Sequence, residues 1–371
     1  MIEADYQVPF LAHTCMEPLN ATAVVEDGFC EIWIGCQSPL SFRQAVADSL
    51  GFEVENVTLH NCFMGGGFGR KSRADYAVQA AQLAAKVGRP VQLIWSREED
   101  VRQDFYRPAV QSRFRGALNE SGNLTAWENT YAGKMEPIEA PLIPYTVAAQ
   151  EIGHVASPTH VPLGAWRSVD HSQHGFFTES FIDEVAVAAG QDPYEYRAAR
   201  LKHLPRLLAV LTKAATEAQW NVPLAPGRGR GIALQECFGS IVAQVVEVTV
   251  VDGNLSVDRV VAVIDAGYAI SPDGMKAQIE SGIIYGLSAA LYGEISIKDG
   301  AVVESNFHDY PSVRMSKAPV IETHIINSGE AMGGAGEPGT PPIAPALANA
   351  IFNATGERIR QLPIKNAIFK V

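Results

Sequence analysis

The sequence predicts an α+β fold in two lobes, spanning residues 1–220 and 221–371, and three observations carry that expectation. At 371 residues the chain exceeds the length at which one hydrophobic core stops growing. Its strand-like runs fall both before and between helical runs, the pattern of an α+β arrangement rather than of strict βαβ alternation. Between Asn221 and Gly231 it concentrates proline, glycine and arginine, separating a helical stretch from a new β-rich region, which is where a lobe boundary belongs.

The elements follow in order. Ala23 to Cys36 reads as a hairpin, because β-formers alternate on either side of Glu26-Asp27-Gly28 and an Asp-Gly pair tolerates the positive φ of a tight turn. A helix is expected from Ser38-Pro39, a cap residue with proline in the first turn, to Gly51, with Phe42, Ala45, Val46 and Leu50 at helical spacing. Val57 to Cys62 reads as a strand, Met64 to Lys71 as a glycine-rich loop, Ala74 to Lys86 as a helix stopped by Gly88, and Pro90 to Trp95 as another strand. Gln111 to Tyr131 forms a second hairpin through Asn119 to Asn123, and a proline-punctuated stretch without assignable elements runs on to Pro162.

Phe176 to Ala189 is expected to be an amphipathic helix, Phe177, Phe181, Val185 and Ala188 inward and Glu179, Asp183 and Glu184 outward. Leu207 to Gln219 is helical. The second lobe opens with strands Ile232 to Glu236, Val242 to Val251 and Val257 to Asp265, paired as a meander. Lys276 to Leu291 is a glycine-spaced helix, Glu294 to Val303 a hairpin through Asp299-Gly300, and Pro341 to Thr355 a helix capped by Thr340 and ended by Gly356.

Composition removes several function classes. A formal charge of −12, with no Lys/Arg run longer than a pair, disfavours nucleic acid as a partner. No apolar run approaches the roughly 18 residues of a membrane span, so a soluble protein is expected. Met1 to Phe10 lacks the basic and apolar regions of an export signal. The five cysteines, Cys15, Cys30, Cys36, Cys62 and Cys237, are odd in number with no C-x-x-C, so free thiols are expected rather than disulfides or a zinc or iron–sulfur ligand set.

Three segments could carry chemistry. In Gly65-Gly66-Gly67-Phe68-Gly69-Arg70-Lys71, between a strand and a helix, glycines let backbone N–H groups crowd an anion. The spacing matches neither the P-loop nor the dinucleotide fingerprint, and on the residues alone a structural turn is as good a reading as a phosphate or pterin cradle. In Gly333-Gly334-Ala335-Gly336-Glu337-Pro338-Gly339-Thr340, Glu337 is the one ionisable residue of an apolar, glycine-lined run. Desolvation there would push its carboxyl up toward the range useful to a general base, while a role in capping the following helix is the plainer alternative. In Trp166-Arg167-Ser168-Val169-Asp170-His171-Ser172, Arg167 suits bidentate holding of a phosphate or oxo group, although exposed arginines are common. Asp170-His171-Ser172 invites a hydrolase triad, but sequence neighbours seldom face one another and no G-x-S-x-G elbow is present. His154, His160, His171 and His174 lack an H-E-x-x-H pattern.

Together these segments resemble the molybdenum hydroxylases of the xanthine oxidase/aldehyde oxidase family, most closely the large (beta) subunits of isoquinoline 1-oxidoreductase-like enzymes. The likeness runs through Leu11-Ala12-His13 and Met16 to Thr22, Gly65 to Lys71, Trp166 to Val169 with Glu179 to Glu184, Ser305 to Tyr310, and Gly336-Glu337-Pro338 with Pro341 to Gly356. It implies a two-lobed molybdenum-cofactor-binding domain whose second lobe carries the base. The cofactor would be a molybdenum–molybdopterin, the cytosine dinucleotide form among the alternatives, with no metal ligand from protein side chains. By position Gln37 corresponds to a glutamine near the metal's oxo ligand, Gly67, Phe68 and Gly69 to glycine-loop contacts, Arg167 to an arginine beside the pterin, and Glu337 to the catalytic base.

The implied reaction is hydroxylation of an electron-poor carbon with oxygen from water, the two electrons leaving through a [2Fe–2S] cluster on a separate small subunit. Ser72 stands where purine-oxidising relatives keep an acidic substrate contact, and Val169 where they keep a ring-clamping phenylalanine, so an aldehyde or N-heteroaromatic substrate is expected. The family's Gly-x-x-Gly-Gln-Gly segment and small substrate-side domain have no match, so the chain is expected to be the C-terminal part of such a subunit, completed by another chain or an upstream segment. A non-catalytic scaffold subunit is the alternative from another class. The compartment stays open: the missing signal suits the cytoplasm, and the resemblance keeps the periplasm as the other option.

Overall fold

The computed structural model describes residues 1–133 and 139–364. Strand β1 (Ile2–Val8) is followed by the hairpin β2 (Asn20–Glu26) and β3 (Phe29–Ile34), whose turn places Asp27 and Gly28 at φ 51° and 81°, the left-handed pair expected of Asp-Gly. Helix α1 (Pro39–Leu50) ends at Gly51 in the left-handed region, but the Ser38 hydroxyl meets Ser41 instead of capping it. β4 (Val57–Asn61), α2 (Asp75–Val87) and β5 (Val91–Ile94) then complete a four-stranded sheet ordered β4-β3-β2-β5, with α1 and α2 packed on it. Phe42, Val46, Tyr76, Ala77 and Ala80 fill that interface, the apolar face the helical spacing had indicated.

A short helix α3 (Arg97–Arg102), capped by the Ser96 hydroxyl, leads into the second hairpin, β6 (Val110–Leu118) and β7 (Leu124–Gly133). β6 pairs with β1 and β7 runs parallel to β8 (Ala149–Ala156). β1 was overlooked in the sequence although Ile2-Glu3-Ala4-Asp5-Tyr6-Gln7-Val8 alternates apolar and polar residues as a half-buried strand does, whereas β8 carries Gly and His among few β-formers. Residues 134–138 of the proline-punctuated stretch lie outside the described residues.

The central helix α4 (His171–Ala188) corrects two expectations. It begins five residues earlier than the phenylalanine pattern suggested, and Glu179, Asp183 and Glu184 point into protein instead of outward. Glu179 accepts from the Tyr145 hydroxyl at 2.6 Å, the Arg197 Nε at 3.0 Å and the Leu234 amide at 2.9 Å. Asp183 takes Arg358 at 2.7 Å, and Glu184 takes Tyr6 and Arg360, each at 2.6 Å. Every one of these buried acids has a partner, which is what lets a helix be enclosed on all sides. Periodicity reports polarity along a helix, and these acids are polar residues whose partners come from distant segments.

α5 (Pro193–Arg200) and α6 (Pro205–Glu217) lead to the third sheet. β9 (Arg228–Cys237), β10 (Ser240–Val251) and β11 (Asn254–Asp265) form the expected meander. β9 starts four residues ahead of its apolar core because Arg228 and Arg230 are held by Glu247 of β10. After α7 (Pro272–Leu291) and the two-residue strands β12 (Ile297–Lys298) and β13 (Ala301–Val302), β14 (Val320–Ile326) joins β11 in parallel, giving the order β14-β11-β10-β9. Helix α8 (Ile343–Thr355) packs on β9 and β10. Its cap residue is Pro342, not the expected Thr340, whose buried hydroxyl has no partner among the described residues. The glycine-rich edge of β9 makes this packing close: a Cβ on Gly231 would stand 2.2 Å from the Ala350 amide nitrogen. The largest apolar cluster runs from Ala4 through α4, β9 to β11 and α7 to Ile364, so both halves of the chain contribute to one core.

Candidate functional site

The three segments singled out from the sequence meet beside α7. The glycine loop leaves β4 and turns at Phe68, whose φ of 52° is unusual for a bulky residue, and at Gly69, with φ 107°. The Gly69 turn is possible only for glycine, since a Cβ there would lie 1.6 Å from the Ala165 carbonyl oxygen. Two flanking cations fix the loop: Arg70 makes a bidentate pair with Asp75 at 2.9 and 2.6 Å, and Lys71 reaches Glu17, which also accepts the Gly65 amide at 2.7 Å. Gln37 lies across the loop, its Oε1 accepting the Gly69 amide at 3.0 Å and its backbone amide donating to the Lys71 carbonyl at 2.8 Å. The Ser72 hydroxyl turns back onto the Gly69 carbonyl at 2.6 Å.

Phe68 has the wall that a large apolar side chain in a loop requires. It stacks on Tyr285 of α7 with centroids 4.5 Å apart, and Tyr285 stacks in turn on Trp166 at 4.6 Å. The Arg167 guanidinium lies 5.7 Å from the Phe68 centroid. Arg167 itself is 4 % exposed. It donates from Nε to the Gly336 carbonyl at 2.9 Å, to the Ser281 hydroxyl at 2.9 Å, and to the Gln278 carbonyl at 3.1 Å. Burial pushes its pKa down, opposed by Tyr285 and Glu337. Most of its donors are thus engaged in fastening the Gly336 backbone to α7.

Glu337 is tied down by the neighbouring turn. Ser168 donates its amide to Glu337 Oε1 at 2.9 Å and its hydroxyl to the Glu337 carbonyl at 2.7 Å. Ser168 and Val169 hold φ of 72° and 40°, a strained pair that aims the Ser168 N–H at the carboxylate. The carboxylate is half-buried, and its second oxygen and the Gln37 side-chain amide have no protein partner among the described residues. A cavity of about 500 Å³ adjoins the site; Phe68, Trp166, Tyr285, Ser281 and Tyr310 are in its wall, whereas Gln37 and Glu337 are not. Of the triad suggested by Asp170-His171-Ser172, the hydroxyl of Ser172 donates to the Val169 carbonyl and not to His171. Among the described residues no group of three or more His, Cys, Asp or Glu could hold a metal ion, and all five cysteines are unpaired.

The structure therefore brings Gly67, Phe68, Gly69 and Gln37 together on one side and Arg167, Gly336 and Glu337 on the other, with Phe68 and Arg167 in contact between them. Sequence reasoning passed over Ser168, Gln278, Ser281 and Tyr285. Ser168 stood in a highlighted run, but its importance lies in a positive φ that no composition announces. Tyr285 left one trace, the lone aromatic of its helix, flanked by Gly282 and Gly286.

These loops bring a free amide and a half-buried carboxylate to one place in an α+β protein. The chain belongs to the molybdopterin cofactor-binding domain family: models of two such domains match residues 1–201 and 209–319. It is 32 % identical to the beta subunit of isoquinoline 1-oxidoreductase from Brevundimonas diminuta, over 98 % of this chain and 49 % of that protein. It is 30 % identical to a nicotinate dehydrogenase subunit from Pseudomonas putida, over 98 % of this chain and 34 % of that one. The chain thus spans about half the length, or less, of these curated relatives. Quinoline 2-oxidoreductase from Pseudomonas putida 86 shares the fold, with a TM-score of 0.83 at 15 % identity, over 98 % of this chain and 75 % of that one. No helix among the described residues is long and apolar enough to cross a membrane.

Proposed function

We propose that this chain is the cofactor-holding part of a molybdenum-dependent hydroxylase subunit that oxidises an aldehyde or an N-heteroaromatic ring, with Glu337 as the base. The observation that carries this reading is the double tie of the Glu337 segment: Ser168 fixes the carboxylate at 2.9 Å, and Arg167, in contact with Phe68, fixes the preceding Gly336 carbonyl at 2.9 Å. A base tied to the loop that faces the cofactor keeps a constant distance from it, which is the condition for proton transfer in a fixed geometry.

The residues present fit a molybdopterin. Gln37 offers a free side-chain amide, the Gly67-Phe68-Gly69 backbone lets a flat group approach, Arg167 supplies positive charge beside it, and a Cβ on Gly336 would meet only Gln278 Oε1, at 3.9 Å, so the backbone before Glu337 borders open space. When bound, a molybdopterin supplies a redox metal at which water is activated and two electrons are taken up. With that group bound, Glu337 would be the residue to take up a proton, Ser168 N–H would hold its carboxylate in place, and the stack of Phe68, Tyr285 and Trp166 would give the group an apolar wall.

The identities of 32 % and 30 % to subunits named for isoquinoline and nicotinate support the substrate class. Ser72 and Val169 bring neither an acidic contact nor a clamping ring, which suits such a substrate better than a purine. On this reading residues 1–220 and 221–371 are the two cofactor-binding lobes, the cytosine dinucleotide form of the cofactor is accepted, the inserted oxygen comes from water, and electrons leave to a small [2Fe–2S] subunit. A further segment or chain completes the cofactor cradle, in keeping with the half-length match.

The test is Glu337→Gln in the complex purified from its native host, assayed with an aldehyde and an N-heterocycle. Retained molybdenum and pterin with turnover lowered by several orders of magnitude is the expected result. Undiminished turnover removes Glu337 from the chemistry, and a metal-free, inactive wild-type complex leaves only a scaffold.

A further inference from the structure

We propose that His13, with both ring nitrogens protonated and paired to Asp104, is a positioning residue that locks the glycine loop, the arginine turn and α7 into one cradle; this rests on the reading of that cradle as the cofactor site.

His13 is 1 % exposed, deep beneath the loops that form the site. Its Nδ1 lies 3.0 Å from both carboxylate oxygens of Asp104, and its Nε2 lies 2.8 Å from the Ala165 carbonyl. A carbonyl oxygen only accepts. A neutral imidazole has one donor nitrogen, so if Nε2 donates to Ala165, Nδ1 also donates only when the ring carries both protons or when Asp104 is itself protonated. Asp104 is built to stay ionised: it also receives the His13 amide at 2.7 Å and the Phe105 amide at 2.7 Å, and the Arg70 Nε lies 3.0 Å away. A buried carboxylate that accepts two backbone amides beside the Arg70 charge favours its charged form, whichever protons the ring carries. The proton is therefore on the ring.

The position of that ring explains its consequence. The Ala165 carbonyl it holds is the atom against which Gly69 packs, with a Gly69 Cβ 1.6 Å from the oxygen and 3.3 Å from His13 Nε2. The His13 carbonyl accepts the Tyr285 hydroxyl at 2.9 Å, and Tyr285 is the middle ring of the stack that seats Phe68. Asp104 reaches Arg70, the residue after Gly69. His13 thus touches the arginine turn through its ring, the glycine loop through Asp104 and α7 through its main-chain carbonyl, without touching the Glu337 carboxylate. Replacing His13 by Phe, which has no donor, or by Gln, whose two N–H groups sit on a single nitrogen, leaves the Ala165 carbonyl or Asp104 without its partner, and the loop and the arginine turn lose their common anchor.

Two measurements on the purified complex test this. Neutron diffraction from deuterated crystals is expected to show deuterium on both His13 nitrogens and none on the Asp104 carboxylate; a bare ring nitrogen overturns the proposal whatever the protein catalyses. His13→Gln and His13→Phe are then compared with wild type for pterin content after gel filtration, for near-ultraviolet circular dichroism of the Tyr285–Trp166 stack, and for thermal midpoint. Cofactor retention about tenfold or more below wild type, with an altered aromatic signal in both variants, is expected. Wild-type retention and an unchanged aromatic signal in either variant overturn the positioning role. Failure of the functional reading shows differently, as a wild-type complex that holds no pterin while both deuterons on His13 remain.

Discussion

Replacing Gly69 by alanine measures how closely the two cofactor-facing loops must approach. The added Cβ would start 1.6 Å from the Ala165 oxygen, whereas such contacts are essentially never shorter than 3.0 Å, so loop and turn must separate by roughly 1.5 Å. That movement breaks the Gln37 bond to the Gly69 amide, 3.0 Å long, and the His13 bond to Ala165, 2.8 Å long. Two such bonds are worth about 1 kcal/mol each, and an alanine at φ 107° costs about 1–3 kcal/mol more, for a total near 4 kcal/mol. Gly88→Ala is the matched control: Gly88 also has a positive φ, 62°, but no atom lies within 4 Å of its Cβ, so only the conformational cost of about 1 kcal/mol applies. Urea unfolding of both variants, read as the change in midpoint multiplied by the slope, gives the comparison. If Gly69→Ala costs no more than Gly88→Ala, the loop and the arginine turn are not in obligatory contact and do not form one cradle.

Arg167→Lys keeps the charge but not the fork, so the Gly336 carbonyl, Ser281 and Gln278 can no longer all be served; a loss of about 2–4 kcal/mol is expected, read by denaturant unfolding, and a loss under 1 kcal/mol would show that the fork is dispensable. His174 is buried against Tyr131 and Phe177, and burial, with His171 beside it, depresses its pKa to about 3. A folded value below the unfolded one means that its stabilising contribution is complete above about pH 6.5 and is lost as pH falls through about 3. Wild type should therefore lose up to about 5 kcal/mol more than His174→Phe on acidification across that window, and parallel stability curves for the two proteins would refute the assignment. Asp100, between Arg97 and Asp104, shifts the other way: burial raises its pKa to about 6. Its contribution is complete below about pH 4 and is lost as pH rises through about 6, so Asp100→Asn should reduce the fall in stability between those values, measured by thermal unfolding.

The sequence by itself determined the local grammar of this protein. Asp27-Gly28, Gly51, Gly88 and Gly356 marked ends and turns because left-handed backbone is a property of the residue that adopts it. The sheet-and-helix unit of residues 20–94 and the meander of β9 to β11 were legible because each buries one face against near neighbours, so the apolar period survives in the chain. The glycine loop, Arg167 and Glu337 also stood out, as residue types whose chemistry is independent of context.

Tertiary structure decided what those residues face. Glu179, Asp183 and Glu184 read as a solvated stripe and are buried, since Tyr145, Arg197, Arg358 and Arg360 come from other parts of the chain to neutralise them. β8 carries a weak strand pattern and exists because a partner edge was available, and β8 and β14 are placed through parallel pairings that only long connections can create. The tie from Ser168 to Glu337 and the pair of His13 with Asp104 join residues 169 and 91 positions apart. Such contacts leave no period and no motif in the chain, because hydrogen bonds and packing act over a few ångströms in space, and which residues share those ångströms is settled only when the whole chain has folded.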